Sequence, residues 1–239
     1  MKGVLASRAP GVAVVDVTHG IPAQDVRAGA LVLRQAAPWF PAGTIHLAVV
    51  DPGVGSSRRA IAIETARATF VGPDNGVLTL AAPPAERRRV VELTNDRYLP
   101  SVRSHTFHGR DVFAPMAAAL ALGVETAALG APVGDPCELE LPAARREADG
   151  TVVGEVVYVD GFGNLVSNLG PSDFAGHEVS ITIGEVPVGS LSTSYASVPP
   201  GEPVAVVNSW NLVEIAVRDG SATDALALGL GAPVRVVPS

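Results

Sequence analysis

Apolar residues follow two rhythms along the chain, and the rhythm changes just past its midpoint. From Gly11 to about Ala131, short runs rich in Val and Ile alternate with Ala- and Leu-rich segments whose apolar positions recur at helical spacing. A sheet covered by helices gives that alternation, because strands and helices must bury their apolar faces against each other. The predicted strands are VAVVDVT (12–18), TIHLAVVD (44–51), AIAIET (60–65), ATFVG (68–72) and RVVELT (89–94). The first two are nearly unbroken apolar runs, as expected of strands buried on both faces in a mainly parallel sheet. Between them QDVRAGALVLRQAAPWF reads as a helix, with Val26, Ala30, Leu31 and Leu33 on one side and Pro38 near its end. VFAPMAAALALG reads as a second helix, with Pro115 tolerable in the first turn and Gly123 placed to cap the end.

The stretch GAPVGDPCELELPAARREADG (130–150) mixes prolines, glycines and charges without sustained periodicity, as linkers do. Beyond it come short β-type runs broken by Gly and Pro: VVGEVVYVD, EVSITIG, PVAVVNSW, LVEIAVR and PVRVV. The expected architecture is an α/β N-terminal domain over 1–135 with a mainly parallel sheet flanked by helices, a linker over 136–150, and a smaller all-β, barrel-like C-terminal domain over 151–239.

Composition narrows the function. The 239 residues are 47% hydrophobic, 5% aromatic and carry a formal charge of -7, which disfavours a sequence-independent grip on nucleic acid. The single cysteine, Cys137, has no internal disulfide partner, and the N-terminus lacks the pattern of a signal peptide. No stretch approaches the roughly 20 apolar residues that cross a bilayer. A cytoplasmic protein without membrane or nucleic-acid partners is expected.

Polar residues then stand out by position. In VVDPGVGSSRR (49–59), Asp51 follows directly on an apolar run, where open α/β sheets collect ligands. Alone, Asp-Pro-Gly is an ordinary turn. Arg58 and Arg59 open the next strand, so at most one of them shares a cleft with Asp51. SHTFHGRDVFAP (104–115) packs His105, His108, Arg110 and Asp111 into a loop before a helix; capping and ion pairing explain any one of them. VDGFGNLVSN (159–168) sets Asp160, Phe162, Asn164 and Asn168 on a glycine-bent β segment, and NSWNLVEIA (208–216) repeats the idea; hairpin geometry accounts for much of both. There is no G-x-G-x-x-G, Walker lysine, His-x-x-x-His pair or cysteine set, so neither a metal nor a cofactor is expected.

Taken in order, VVDPGVGSSRR, FVGPDNGVL, TFHGRDVFAP, VVYVDGFGNLVSN and NSWNLVEIA resemble the S-adenosylmethionine (SAM) hydroxide adenosyltransferase family, relatives of the fluorinase and chlorinase. The resemblance runs along nearly the whole chain. It implies hydrolysis of SAM to adenosine and L-methionine by in-line attack of an activated water on C5′, with Asp51, Arg58 and His108 as the catalytic set. Which of Asp51 and His108 takes the proton stays open. It further implies substrate contacts from Asn75, Phe107, Gly109, Asp160, Asn164 and Ser209. The implied assembly is a homotrimer with active sites between one subunit's N-terminal domain and its neighbour's C-terminal domain. In the halogenases a Tyr stands at the position of Asp51 and a Thr at that of Val54. A carboxylate at Asp51 repels a desolvated halide, which favours hydrolysis over halogenation.

The chain departs from this pattern in two places. Members of the family usually open with a strand and an Asp-Phe-Gly segment whose acid grips the ribose, before a Met-Lys-Gly equivalent to Met1 to Gly3. The expectation is a start assigned too late, with the first domain as given lacking its first strand; the alternative function is a catalytically impaired binder of adenosine or SAM. The second is NSWN, where relatives usually carry a glycine after the third residue and Trp210 precedes Asn211 here.

Overall fold

A computed structural model of the chain describes residues 1–174 and 178–238. The chain forms two compact units, Met1–Leu139 and Glu140–Ser239.

The first unit contains α1 (Lys2–Arg8), α2 (Val26–Ala36), β1 (Thr44–Leu47), β2 (Ala60–Thr65), β3 (Ala68–Pro73), β4 (Arg87–Glu92) and α3 (Ala114–Ala121), the last entered through a π-helical turn at Gly109–Phe113. The strand order is β1-β3-β2-β4. Alternation along the strands sends Ile61, Ile63, Phe70 and Val90 into a core with Leu33 of α2. Their neighbours Ala62, Val71 and Val91 enter a second core with Phe113 and with Met116 of α3. Asp25 caps α2 by accepting from the Ala28 amide at 2.8 Å.

The sheet is mixed rather than mainly parallel. β1 runs parallel to β3, but β2 is antiparallel to both β3 and β4. Only residues 66 and 67 separate β2 from β3, and so short a connection permits no parallel crossover. Thr65 closes this turn, its hydroxyl accepting from the Arg67 and Ala68 amides and donating to the Ala68 carbonyl.

The predicted strand at 12–18 is not one. An apolar run becomes a strand only against a partner edge, and this one joins no ladder: Val12, Val14, Val15 and Val17 are all exposed. Instead it lines a cavity of about 1380 Å³ together with Ile45–Pro52. The run at 44–51 forms β1 only as far as Leu47, with one further bond from the Ala48 amide to the Val71 carbonyl.

The second unit contains β5 (Arg145–Arg146), β6 (Val152–Val159), β7 (Leu165–Ser167), α4 (Pro171–Phe174), β8 (Val179–Ile183), β9 (Val186–Ser192), β10 (Pro203–Val207), β11 (Val213–Val217), α5 (Ala222–Leu226) and β12 (Pro233–Pro238). Seven strands close a barrel in the order β12-β8-β9-β10-β11-β7-β6, sealed by the β6–β12 pairing. Leu165, Leu169, Ile181, Ile183, Ile215, Val234 and Val236 fill it, each essentially inaccessible. Closure leaves no strand of the barrel with an open edge. Within the stretch read as a linker, β5 pairs with β6, while Asp135 and Glu138 are held in the first unit by Arg59 and Arg87. Among the described residues, no helix is long and apolar enough to cross a membrane.

Candidate active site

The turn after β1 and the loop before α3 meet at Gly55. Its φ is +81°, and a Cβ built there would lie 2.5 Å from the His105 carbonyl oxygen. Only glycine permits both the dihedral and the approach. The contact draws the Asp51-to-Arg58 turn against the segment that carries His108.

At this junction one guanidinium nitrogen serves two partners. Arg58 Nη2 donates to Asp51 Oδ2 at 2.6 Å and to His108 Nδ1 at 3.0 Å, while Nη1 donates to the Arg59 carbonyl at 2.9 Å. The Phe113 ring lies 5.3 Å from the guanidinium carbon, a cation–π contact. The Asp51 and Arg58 side chains are only 7% and 8% exposed. A guanidinium has no lone pair to offer, so His108 Nδ1 must accept and the ring's proton sits on Nε2. Burial, and then the positive charge of Arg58, hold the His108 pKa below its ordinary value of 6.5, so the ring is neutral at pH 7. Among the described residues, Asp51 Oδ1 and Arg58 Nε are buried without a hydrogen-bond partner. Unmatched polar atoms inside a protein are costly, and their coincidence in one ion pair marks a place where chemistry is kept available. Asp51 lines the large cavity, and Arg58 and His108 line a smaller one of about 250 Å³ walled by Leu93, Leu99 and Val112.

The neighbouring polar residues have other work. Arg59, which with Arg58 precedes β2 rather than opening it as expected, donates to Asp74 and Asp135, each at 2.7 Å. Asp111 caps no helix. It accepts from Arg110 Nε and Nη2 and from the Ser104 amide at 2.8 Å, and this pairing, Arg110 first, pulls its pKa down to about 2. Arg110 also lies over the half-exposed Phe107 ring, 4.8 Å from its centre. Gly109 is buried at the head of the π turn. Asn75 holds the main chain beside the site with its side chain: Nδ2 donates to the Val50 carbonyl at 2.8 Å and Oδ1 accepts from the Val77 amide, which fixes the residue before Asp51. Among the described residues, no group of three or more His, Cys, Asp and Glu side chains is placed to hold a metal ion.

In the barrel unit, Asp160 organises its own loop. Oδ1 accepts from the Phe162 and Asn164 amides and Oδ2 from Asn164 Nδ2 at 3.0 Å, an Asx-type turn that leaves Phe162 80% exposed. Asn168 is structural, bonding the Glu155 amide and the Pro142 carbonyl. Ser209 is exposed at the tip of the β10–β11 turn, and Trp210 beside it packs on Tyr158 with ring centres 5.0 Å apart. Two polar residues of this region escaped the sequence reading, Tyr195 and Glu214. The signal was an acid in the middle of the apolar run LVEIAV, which matters only once both faces of that strand are known to be buried.

Comparison with known proteins agrees along the chain. Residues 1–130 match the model of the SAM hydroxide adenosyltransferase N-terminal domain, and residues 154–235 that of the C-terminal domain. A protein of Thermus thermophilus named (R)-S-adenosyl-L-methionine hydrolase is 45% identical over 99% of this chain and 92% of its own. A fluorinase of an Actinoplanes species is more distant, 25% identical over 90% of this chain and 84% of its own. The crystal structure of a conserved protein of Thermotoga maritima superposes with a TM-score of 0.89 at 32% identity, covering 98% of this chain and 93% of that one.

Proposed function

Because the chain belongs to the SAM hydroxide adenosyltransferase family, we propose that it hydrolyses S-adenosyl-L-methionine to adenosine and L-methionine, with Asp51, Arg58 and His108 as the catalytic set. The observation that carries the reading is the shared guanidinium: one nitrogen of Arg58 holds both the acid and the imidazole.

The same geometry supports Asp51 as the base, a choice the residues alone left open. His108 Nδ1 is occupied by the Arg58 N–H and Nε2 carries the ring's proton, so the neutral ring orients a water as a donor. Asp51 Oδ1 keeps its lone pairs uncommitted. As the water oxygen attacks C5′ in line, its proton passes to Asp51, the C5′–S bond breaks, and its electron pair returns the sulfonium to a neutral thioether. Arg58 stabilises the negative charge developing on oxygen. A carboxylate in this position also disfavours a desolvated halide as nucleophile.

The reading extends to substrate contacts from Asn75, Phe107, Gly109, Asp160, Asn164 and Ser209, to a reaction without cofactor, and to a cytoplasmic homotrimer whose active sites join the N-terminal unit of one subunit to the barrel of the next. Incubation with SAM followed by chromatography tests it. Adenosine and methionine are expected in equal amounts; S-adenosylhomocysteine, or unchanged SAM, overturns it.

A further inference from the structure

The barrel contains a buried acid that the proposed reaction does not use. Glu214 lies in β11 at 4% exposure. One carboxylate oxygen accepts from the Tyr195 hydroxyl at 2.7 Å and the other from Asn208 Nδ2 at 2.9 Å. The opposite end of Asn208 holds the β10–β11 turn: its Oδ1 accepts from the Trp210 amide at 2.9 Å and the Leu212 amide at 3.2 Å. A carboxylate only accepts, so Glu214 dictates which way round Asn208 sits. Reversed, its NH₂ would face two backbone N–H groups and its oxygen would face a carboxylate. The turn needs that hold, because Asn211 within it adopts a left-handed φ of 60°. Burial and Glu214 push the Tyr195 phenol up to about 12, so it remains a donor at neutral pH. On its other side the turn presses Trp210 onto Tyr158, at the end of β6 that leads into the Asp160 loop. One hydrogen-bonded line thus runs from Tyr195 through Glu214 and Asn208 to the backbone of Trp210.

We propose that Glu214 is a positioning residue for SAM binding: with Tyr195 it locks the orientation of Asn208 and so presents Ser209 and Trp210 to the substrate. This rests on the reading that the Asp160 and Ser209 loops receive SAM. The role differs from that of a structural acid because it depends on the direction of the hydrogen bonds and can therefore be rewired.

The experiment is a cycle of two substitutions on the full chain. Glu214→Gln supplies one acceptor oxygen to two donors, and Asn208→Asp sets two carboxylates face to face. Combined, the introduced amide donates to the introduced carboxylate, Tyr195 keeps an acceptor, and the turn amides keep theirs. Each single substitution is expected to raise KM for SAM about tenfold with kcat within about twofold, as loss of uniform binding does. The pair is expected to return KM to within about threefold of the parent. Tyr195→Phe, which removes one donor at the surface, is expected to raise KM about threefold. Trp39 and Trp210 are the chain's two tryptophans, so a Trp39→Phe background makes Trp210 fluorescence report the turn itself. Its emission should shift to longer wavelength in each single and return in the pair. Singles with unchanged KM, or a pair whose defects simply add, overturn the proposal while SAM hydrolysis by the parent stands. A parent that forms no adenosine overturns the function instead, and the fluorescence cycle then decides the positioning: no shift in either single, or no return in the pair, rejects it.

Discussion

The two units of this chain use buried or half-buried carboxylates in opposite ways. Asp160 and Glu214, in the barrel unit, have both carboxylate oxygens occupied by donors from the protein. Asp51, in the first unit, has one oxygen held by Arg58 and the other without a partner among the described residues. A saturated carboxylate fixes shape and presents its neighbours; an unsaturated one keeps a lone pair for a proton. Sequence proximity to glycine turns does not separate the two cases, and the count of hydrogen bonds does.

The contrast breaks most visibly in kinetics. Arg58→Ala should lower kcat on the order of a thousandfold, the magnitude of losing one preorganised electrostatic donor, with circular dichroism unchanged. Asp160→Ala should instead act through KM, raising it about tenfold at nearly constant kcat, by undoing the loop that presents Asn164. Equal effects of the two on kcat would erase the distinction. A finer measurement is the titration of His108 by NMR. Because burial and Arg58 both disfavour the charged ring, its pKa should lie below 6.5 and rise partway toward it in Arg58→Ala, burial being the larger cause. The acid-side midpoint of the activity profile should accordingly lie below pH 6.5. The stability that the neutral ring contributes is present above 6.5 and is lost on further acidification.

How much of this was legible in the sequence depended on how local each cause was. That only one of Arg58 and Arg59 would meet Asp51 was legible and agrees with their different partners, although both arginines precede β2 rather than open it. The mixed sheet was not legible, because the β2–β3 hairpin turns at Ala66 and Arg67 without the glycine or asparagine that usually announces one. The VAVVDVT run has every local property of a strand and fails for want of a partner edge, a fact no window of residues contains. The meeting of Asp51, Arg58 and His108 was suggested by resemblance rather than by spacing, since 50 residues separate the last two. The Glu214 line was invisible because Tyr195, Asn208 and Glu214 converge only through the pairing of β10 with β11 and the segment that precedes them.

Gly55 carries a consequence beyond its own dihedral. The distance between the acid-bearing turn and the imidazole-bearing loop is set where main chain touches main chain, by a hydrogen atom in place of a methyl group. Neither Asp51 nor His108 takes part in that contact. The clasp is therefore independent of what it holds, and an exchange of the side chain at 51 would present a new reactive group to the same enclosure without asking the fold to move.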